Sequence, residues 1–156
     1  MSNTSRINRR RFVAGASAAV TVPYFFSPGR TLAAETRGPN DRLALGVIGA
    51  GSMCRGNLGA AKDWIDVVAV ADVDAGRRDE VNHQFAGGKA AVFDDYRKVL
   101  ERKDVDVIHV ATPDHWHTKP VVEAMRAGKD IYCEKPLTLT IDEGRLIRRV
   151  QRETGR

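Results

Sequence analysis

The sequence predicts a doubly wound parallel α/β sheet, and three observations carry that prediction. From Leu43 onward, short apolar runs alternate with segments patterned as helices. The apolar runs are rich in β-branched residues and nearly continuous, as strands covered on both faces are. Glycine, proline or polar clusters separate them, which turns the chain back into the next helix.

The elements follow in order. Leu43–Ile48 is an apolar run bounded by glycine and reads as the first strand. Residues 52–62 form a helix presenting Leu58 and Ala61, and residues 66–71 form the second strand. A polar helix over 75–85 precedes a brief third strand over 90–93. Asp94 is expected to cap a helix carrying Tyr96, Val99 and Leu100. Residues 105–111 make the fourth strand. Thr118 is expected to cap the next helix, with Pro120 tolerated in its first turn and Gly128 ending it. Residues 131–133 make the fifth strand. Thr140-x-x-Glu143 is a capping box that opens a last helix carrying Ile141, Leu146, Ile147 and Val150. The expectation is one domain over residues 42–156, truncated after this helix, with no sixth strand and no second domain.

Charge excludes one broad class of function. The net charge is +5, but residues 1–37 hold six arginines against Glu35 alone, so the remainder is neutral. A basic footprint for a phosphate backbone is missing where the fold lies, and no nucleic-acid partner is expected. Cys54 and Cys133 are the only cysteines and form no Cys-x-x-Cys pair, so structural zinc is not expected. Free thiols are the expected state, with a disulfide as the alternative.

The basic surplus sits in a leader. Asn8-Arg9-Arg10-Arg11-Phe12-Val13 precedes a weakly apolar run to Phe26, and Leu32-Ala33-Ala34 closes it with small residues. The run is too short to span a bilayer comfortably. Paired arginines followed by x-Phe-Val resemble a twin-arginine export signal over residues 1–34, cleaved near Ala33 or Ala34. This implies a periplasmic protein with no stable membrane span after cleavage. The alternatives are an amphipathic basic tail or an uncleaved anchor. Residues 35–41 read as a linker, with Gly38 and Pro39 as breakers.

In a doubly wound sheet, ligands bind beyond the carboxyl ends of the strands where strand order reverses. The segments after strands one, two, four and five should therefore converge. After strand one stands Gly49-Ala50-Gly51-Ser52-Met53-Cys54. Gly49 permits a tight turn and Gly51 a close backbone approach to a pyrophosphate. The Ser52 and Met53 N–H groups then open a helix whose positive end favours that anion. Cys54 stands where the fingerprint has its third glycine. Asp72 ends strand two, where a carboxylate accepts from adenine-ribose hydroxyls and repels a 2′-phosphate. That favours NAD over NADP, while Arg77 and Arg78 close behind pull towards NADP. A turn-capping role is the alternative for Asp72.

After strand four comes Thr112-Pro113-Asp114-His115-Trp116-His117, and after strand five Glu134-Lys135-Pro136. Together with the glycine loop, Asp72 and Asp94-Asp95-Tyr96, these motifs resemble the glucose–fructose oxidoreductase / inositol dehydrogenase / MocA family over residues 43–156. The resemblance implies a Rossmann-type fold, an NAD(P) cofactor, and hydride transfer on a sugar or cyclitol hydroxyl. It places Thr112 and Pro113 beside the cofactor and His117 in support of that loop. Glu134 and Lys135 lie near the nicotinamide ribose, with Lys135 catalytic. A cationic lysine can stabilise a developing alkoxide or relay its proton. Pro136 would fix a turn and admits a cis bond. The family also carries a second domain that supplies most substrate contacts, and a non-catalytic binding module is therefore the alternative function. Self-association is compatible with either reading. His115-x-His117 has the spacing of a metal pair, but only Asp114 stands nearby as a third ligand, so no metal is expected. His83 and His109 read as structural.

Overall fold

The computed structural model describes residues 42–156. The leader and most of the linker lie outside the described residues.

Five strands form one parallel sheet: β1 (Leu43–Ile48), β2 (Ile65–Ala71), β3 (Ala91–Phe93), β4 (Val107–Val110) and β5 (Asp130–Cys133). Their order is β3-β2-β1-β4-β5, so the sequence of strands reverses between β1 and β4. Ile48 lies level with Ala71 of β2 and with Val110 of β4, and Val110 lies level with Cys133 of β5. The carboxyl ends of these four strands are therefore in register, and the segments that follow them leave the sheet side by side.

Helices α1 (Ser52–Ala61), α2 (Ala75–Ala86), α3 (Arg97–Leu100), α4 (Thr118–Arg126) and α5 (Ile141–Thr154) connect and cover the strands. Alternation along β1 divides the core. Leu45 and Val47 pack with Cys54 and Leu58 of α1 and Val81 of α2. Ile48 packs with Ile108 and Val110 of β4, Val121 and Met125 of α4, and Val150 of α5. Burial of these aliphatic side chains, each contributing about 1.5–3 kcal/mol, holds the two helical layers to the sheet.

Two expected caps move. The helix after β3 is a single turn starting at Arg97, and Asp95, not Asp94, accepts from its first N–H at 3.0 Å. Thr118 does not cap α4. A 3-10 turn over Asp114–Trp116 runs into the helix, so His117 N donates to Asp114 O and the entry is closed by backbone. The capping box at α5 forms as read: Glu143 N donates to Thr140 Oγ1, while Glu143 Oε2 accepts from Thr140 N.

Candidate functional site

The glycine loop forms because β1 and β4 approach closely. Gly49 has φ +90°, and a Cβ there would stand 2.7 Å from the backbone of Ala111 and Thr112. Only glycine satisfies both demands. Gly51 differs: its backbone is extended (φ −73°, ψ −173°), and a Cβ would meet nothing within 4 Å. The position faces open space at the start of α1. No side chain caps α1 and no acid stands in its first turn, so its opening N–H groups are left for an anion.

Asp72, at the end of β2, reaches across to this loop. Its Oδ2 accepts from Ala50 N at 2.7 Å and its Oδ1 from Asp74 N at 2.9 Å. The turn-capping role and the place beside the loop therefore coexist in one carboxylate. Each oxygen keeps a second lone-pair direction for a further donor. Arg78 donates to Asp72 O at 2.5 Å, and Arg77 pairs with Asp74 at 3.7 Å.

Gly49, Gly51, Ser52, Met53, Asp72, Arg77, Thr112 and Pro113 line one cavity of about 460 Å³ at the strand reversal. Asp94, Tyr96, His115 and Trp116 also line it. All four stand in motifs that carry the family resemblance, and the structure brings their side chains to the cavity wall. Tyr96 is fixed by donating to Glu123 Oε2 at 2.6 Å, and burial together with that carboxylate pushes its hydroxyl well above the usual tyrosine range. Thr112 Oγ1 is, among the described residues, a buried side-chain oxygen without a partner. Such an atom costs free energy unless a ligand satisfies it. An open glycine cradle, an uncapped helix start and an unpartnered hydroxyl in one cavity are what a dinucleotide diphosphate and ribose require.

His117, Glu134 and Lys135 do not line this cavity. His117 is wholly buried, with Nδ1 2.7 Å from Pro136 O and Nε2 2.8 Å from Thr112 O. It ties the segment after β4 to the segment after β5. Both ring nitrogens face backbone carbonyl oxygens, so neither is turned towards a metal shared with His115. Among the described residues no three metal-ligating side chains converge. Glu134 accepts from Asn57 Nδ2 at 2.6 Å and from Lys135 N at 3.2 Å. The Asn57 bond is the main reason its carboxyl sits below the usual glutamate range. Lys135 is exposed, and the Lys135–Pro136 bond is cis. His109, expected to be structural, gains a definite setting. It stands on β4 and is buried towards α1, with Nε2 3.1 Å from Asn57 Nδ2 and Nδ1 3.7 Å from Cys54 Sγ. Cys54 and Cys133 are free thiols, and burial pushes them up to about 12 and about 11.

Known proteins are similar to this chain in sequence and in fold. The family model for an oxidoreductase family with an NAD-binding Rossmann fold (GFO_IDH_MocA) matches residues 43–156. An inositol 2-dehydrogenase of Rubrobacter xylanophilus is 33% identical over 123 residues, covering 77% of this chain and 35% of that protein. A glycosyl hydrolase family 109 protein of Shewanella pealeana is 28% identical over 88% of this chain and 35% of its own length. A solved myo-inositol dehydrogenase of Lactobacillus casei, in complex with NAD(H) and myo-inositol, superposes with TM-score 0.67 at 28% identity. That match covers 72% of this chain and 34% of that one. The chain spans about a third of the length of these relatives. The chain belongs to the Gfo/Idh/MocA oxidoreductase family, and residues 43–156 are its NAD-binding Rossmann domain.

Proposed function

We propose that this chain is the cofactor-binding domain of an exported dehydrogenase acting on a sugar or cyclitol hydroxyl. The observation that carries the reading is the cavity at the strand reversal, with its open glycine loop, Asp72 and the unpartnered Thr112 hydroxyl. The N–H groups of Ser52 and Met53 bind the diphosphate, and Asp72 accepts from the adenosine ribose. Its charge repels a 2′-phosphate, so NAD is preferred over NADP, with Arg77 opposing that preference. Thr112 and Pro113 border the far side, and His117 holds their loop against the Glu134–Lys135 turn. The bound nicotinamide supplies the hydride acceptor. Lys135 stabilises the oxygen of the reacting hydroxyl and relays its proton, which lowers the cost of charge developing there. The substrate class rests on similarity to the inositol dehydrogenases.

The test is NADH fluorescence titration of the chain. Saturable binding that Asp72→Ala weakens about tenfold, equivalent to about 1.4 kcal/mol, supports the reading. Absence of saturation, or an Asp72→Ala curve that overlays wild type, refutes it. With a sugar and cyclitol panel, turnover is expected to vanish in Lys135→Ala.

Residues 1–34 act as a twin-arginine signal and 35–41 as a linker. What supports the signal is the Asn8-Arg9-Arg10-Arg11-Phe12-Val13 start and the Leu32-Ala33-Ala34 exit. Replacing Arg9 and Arg10 by lysine is expected to leave the protein in the cytoplasm on cell fractionation. Equal export of the variant would exclude the signal. The similarity to the Shewanella glycosyl hydrolase family 109 protein favours a second reading, cleavage of a glycoside in place of net oxidation. Release of the aglycone from aryl glycosides, dependent on added NAD, separates the two.

A further inference from the structure

We infer that Asn57 is a positioning residue for the Glu134–Lys135 end of the site. The inference deepens the function proposed above and rests on Lys135 facing the nicotinamide half of the dinucleotide. Asn57 stands on α1, in the same helix that opens at the glycine loop. Its Nδ2 donates to Glu134 Oε1 at 2.6 Å and lies 3.1 Å from His109 Nε2. An amide nitrogen carries two hydrogens, so both bonds form together only when His109 Nε2 is the acceptor. The histidine then carries its proton on Nδ1, which lies 3.7 Å from Cys54 Sγ. Burial favours this neutral ring, and it outweighs the opposing pull of the Glu134 charge. The Cys54 thiol is itself kept protonated by burial, with Asp72 adding to the effect and Arg55 opposing it.

The second oxygen of Glu134 accepts from Lys135 N at 3.2 Å. A continuous line of hydrogen bonds therefore runs from Cys54 on α1, through His109 on β4, back to Asn57, and out to the backbone of Lys135. Each partner is fixed by the next: the thiol accepts from the ring, the ring accepts from the amide, and the amide holds the carboxylate. The same line gives a use to Cys54 at the third fingerprint position. A glycine there would leave His109 Nδ1–H without its partner, and the ring would be free to turn away from Asn57. Cys133 adds its thiol to the same corner, donating to Glu134 O at 3.4 Å. The helix that receives the diphosphate and the turn that presents Lys135 are thus joined through side chains, and Asn57 is the joint.

The experiment uses the full chain and two ligands. ADP-ribose reports the diphosphate and adenosine half; NADH adds the nicotinamide. In Asn57→Leu, the Glu134 carboxyl, followed by carbon-13 NMR, is expected to titrate higher, in the ordinary glutamate range. The NADH dissociation constant is expected to rise about fivefold while that of ADP-ribose stays within about twofold. Asn57→Asp keeps the size of the side chain, so it tests the idea even where the leucine variant folds poorly. Its carboxylate against Glu134 should raise the Glu134 titration further. An unchanged Glu134 titration overturns the inference, as does an equal loss of both ligands, which is what a purely structural asparagine would give. Should wild type bind neither ligand, the proposed function fails, and the Glu134 titration on the free protein still decides the role of Asn57.

Discussion

Gly49 and Gly51 look alike in the motif and do opposite work. Gly49 has a left-handed backbone and no room for a Cβ. Gly49→Ala combines a strained φ with a backbone clash, and the expected cost is about 2–5 kcal/mol. A shift of the urea midpoint reads it. Gly51→Ala places its methyl in open space on an extended backbone, so stability should stay within roughly 0.5 kcal/mol of wild type. Its methyl occupies the cradle, and NADH affinity should fall. Loss of stability in Gly51→Ala, or retained stability in Gly49→Ala, would contradict this division.

His109 gives a second test at the same scale. Burial lowers its basicity from the ordinary value of 6.5, so the folded protein holds fewer protons than the unfolded chain once the pH drops below that value. Stability then falls with pH, by at most about 1.4 kcal/mol for each unit, until the buried ring itself protonates. Glu134 acts lower on the scale. Its depressed carboxyl stabilises the fold above the ordinary value of 4.5 and stops doing so as pH falls through its folded value. Urea midpoints from pH 8 to pH 5 should slope in wild type, and His109→Gln should flatten the part below 6.5. A variant that keeps the full slope would assign it to other groups.

At the scale of elements, the capping box of α5 is worth about 1 kcal/mol, because Thr140 and Glu143 satisfy each other's backbone donors. Thr140→Ala should lower the urea midpoint accordingly, and Thr140→Ser should recover most of it. This box was legible in the sequence because its partners lie three residues apart. So were the five strands, whose apolar runs need no knowledge of their neighbours. The Asp95 and His117 corrections have a different origin. A single-turn helix and a 3-10 entry satisfy N–H groups through backbone that no side-chain pattern announces. His109 was illegible for a reason of distance. Its contacts are Asn57, 52 residues before it, and Cys54, 55 before it, and only the pairing of β1 with β4 brings them together. The same pairing makes the cavity, so the motifs that hold Tyr96 and Trp116 carry the family resemblance, while packing is what makes these two side chains part of the wall.

For the molecule as a whole, cofactor and fold are thermodynamically linked. The cavity exists only when β1, β2 and β4 are aligned in one sheet, because its lining comes from the ends of all three. An unfolded chain has no such cavity, so a ligand that occupies it stabilises the native state by mass action. At a hundred times its dissociation constant, NADH should add about 2.7 kcal/mol. For a domain of this size that corresponds to a rise of about 10 °C in the unfolding midpoint. ADP-ribose should give a comparable shift at matched saturation, since it fills the same diphosphate cradle. Asp72→Ala should reduce the shift at a fixed NADH concentration, and Gly51→Ala should reduce it too, although the two variants differ in their unliganded stability. Differential scanning calorimetry across a concentration series reads all of these. A midpoint that does not move with NADH would mean that the cavity at the strand reversal does not discriminate folded from unfolded chain for this ligand, and the dinucleotide assignment of this particular chain would fall with it.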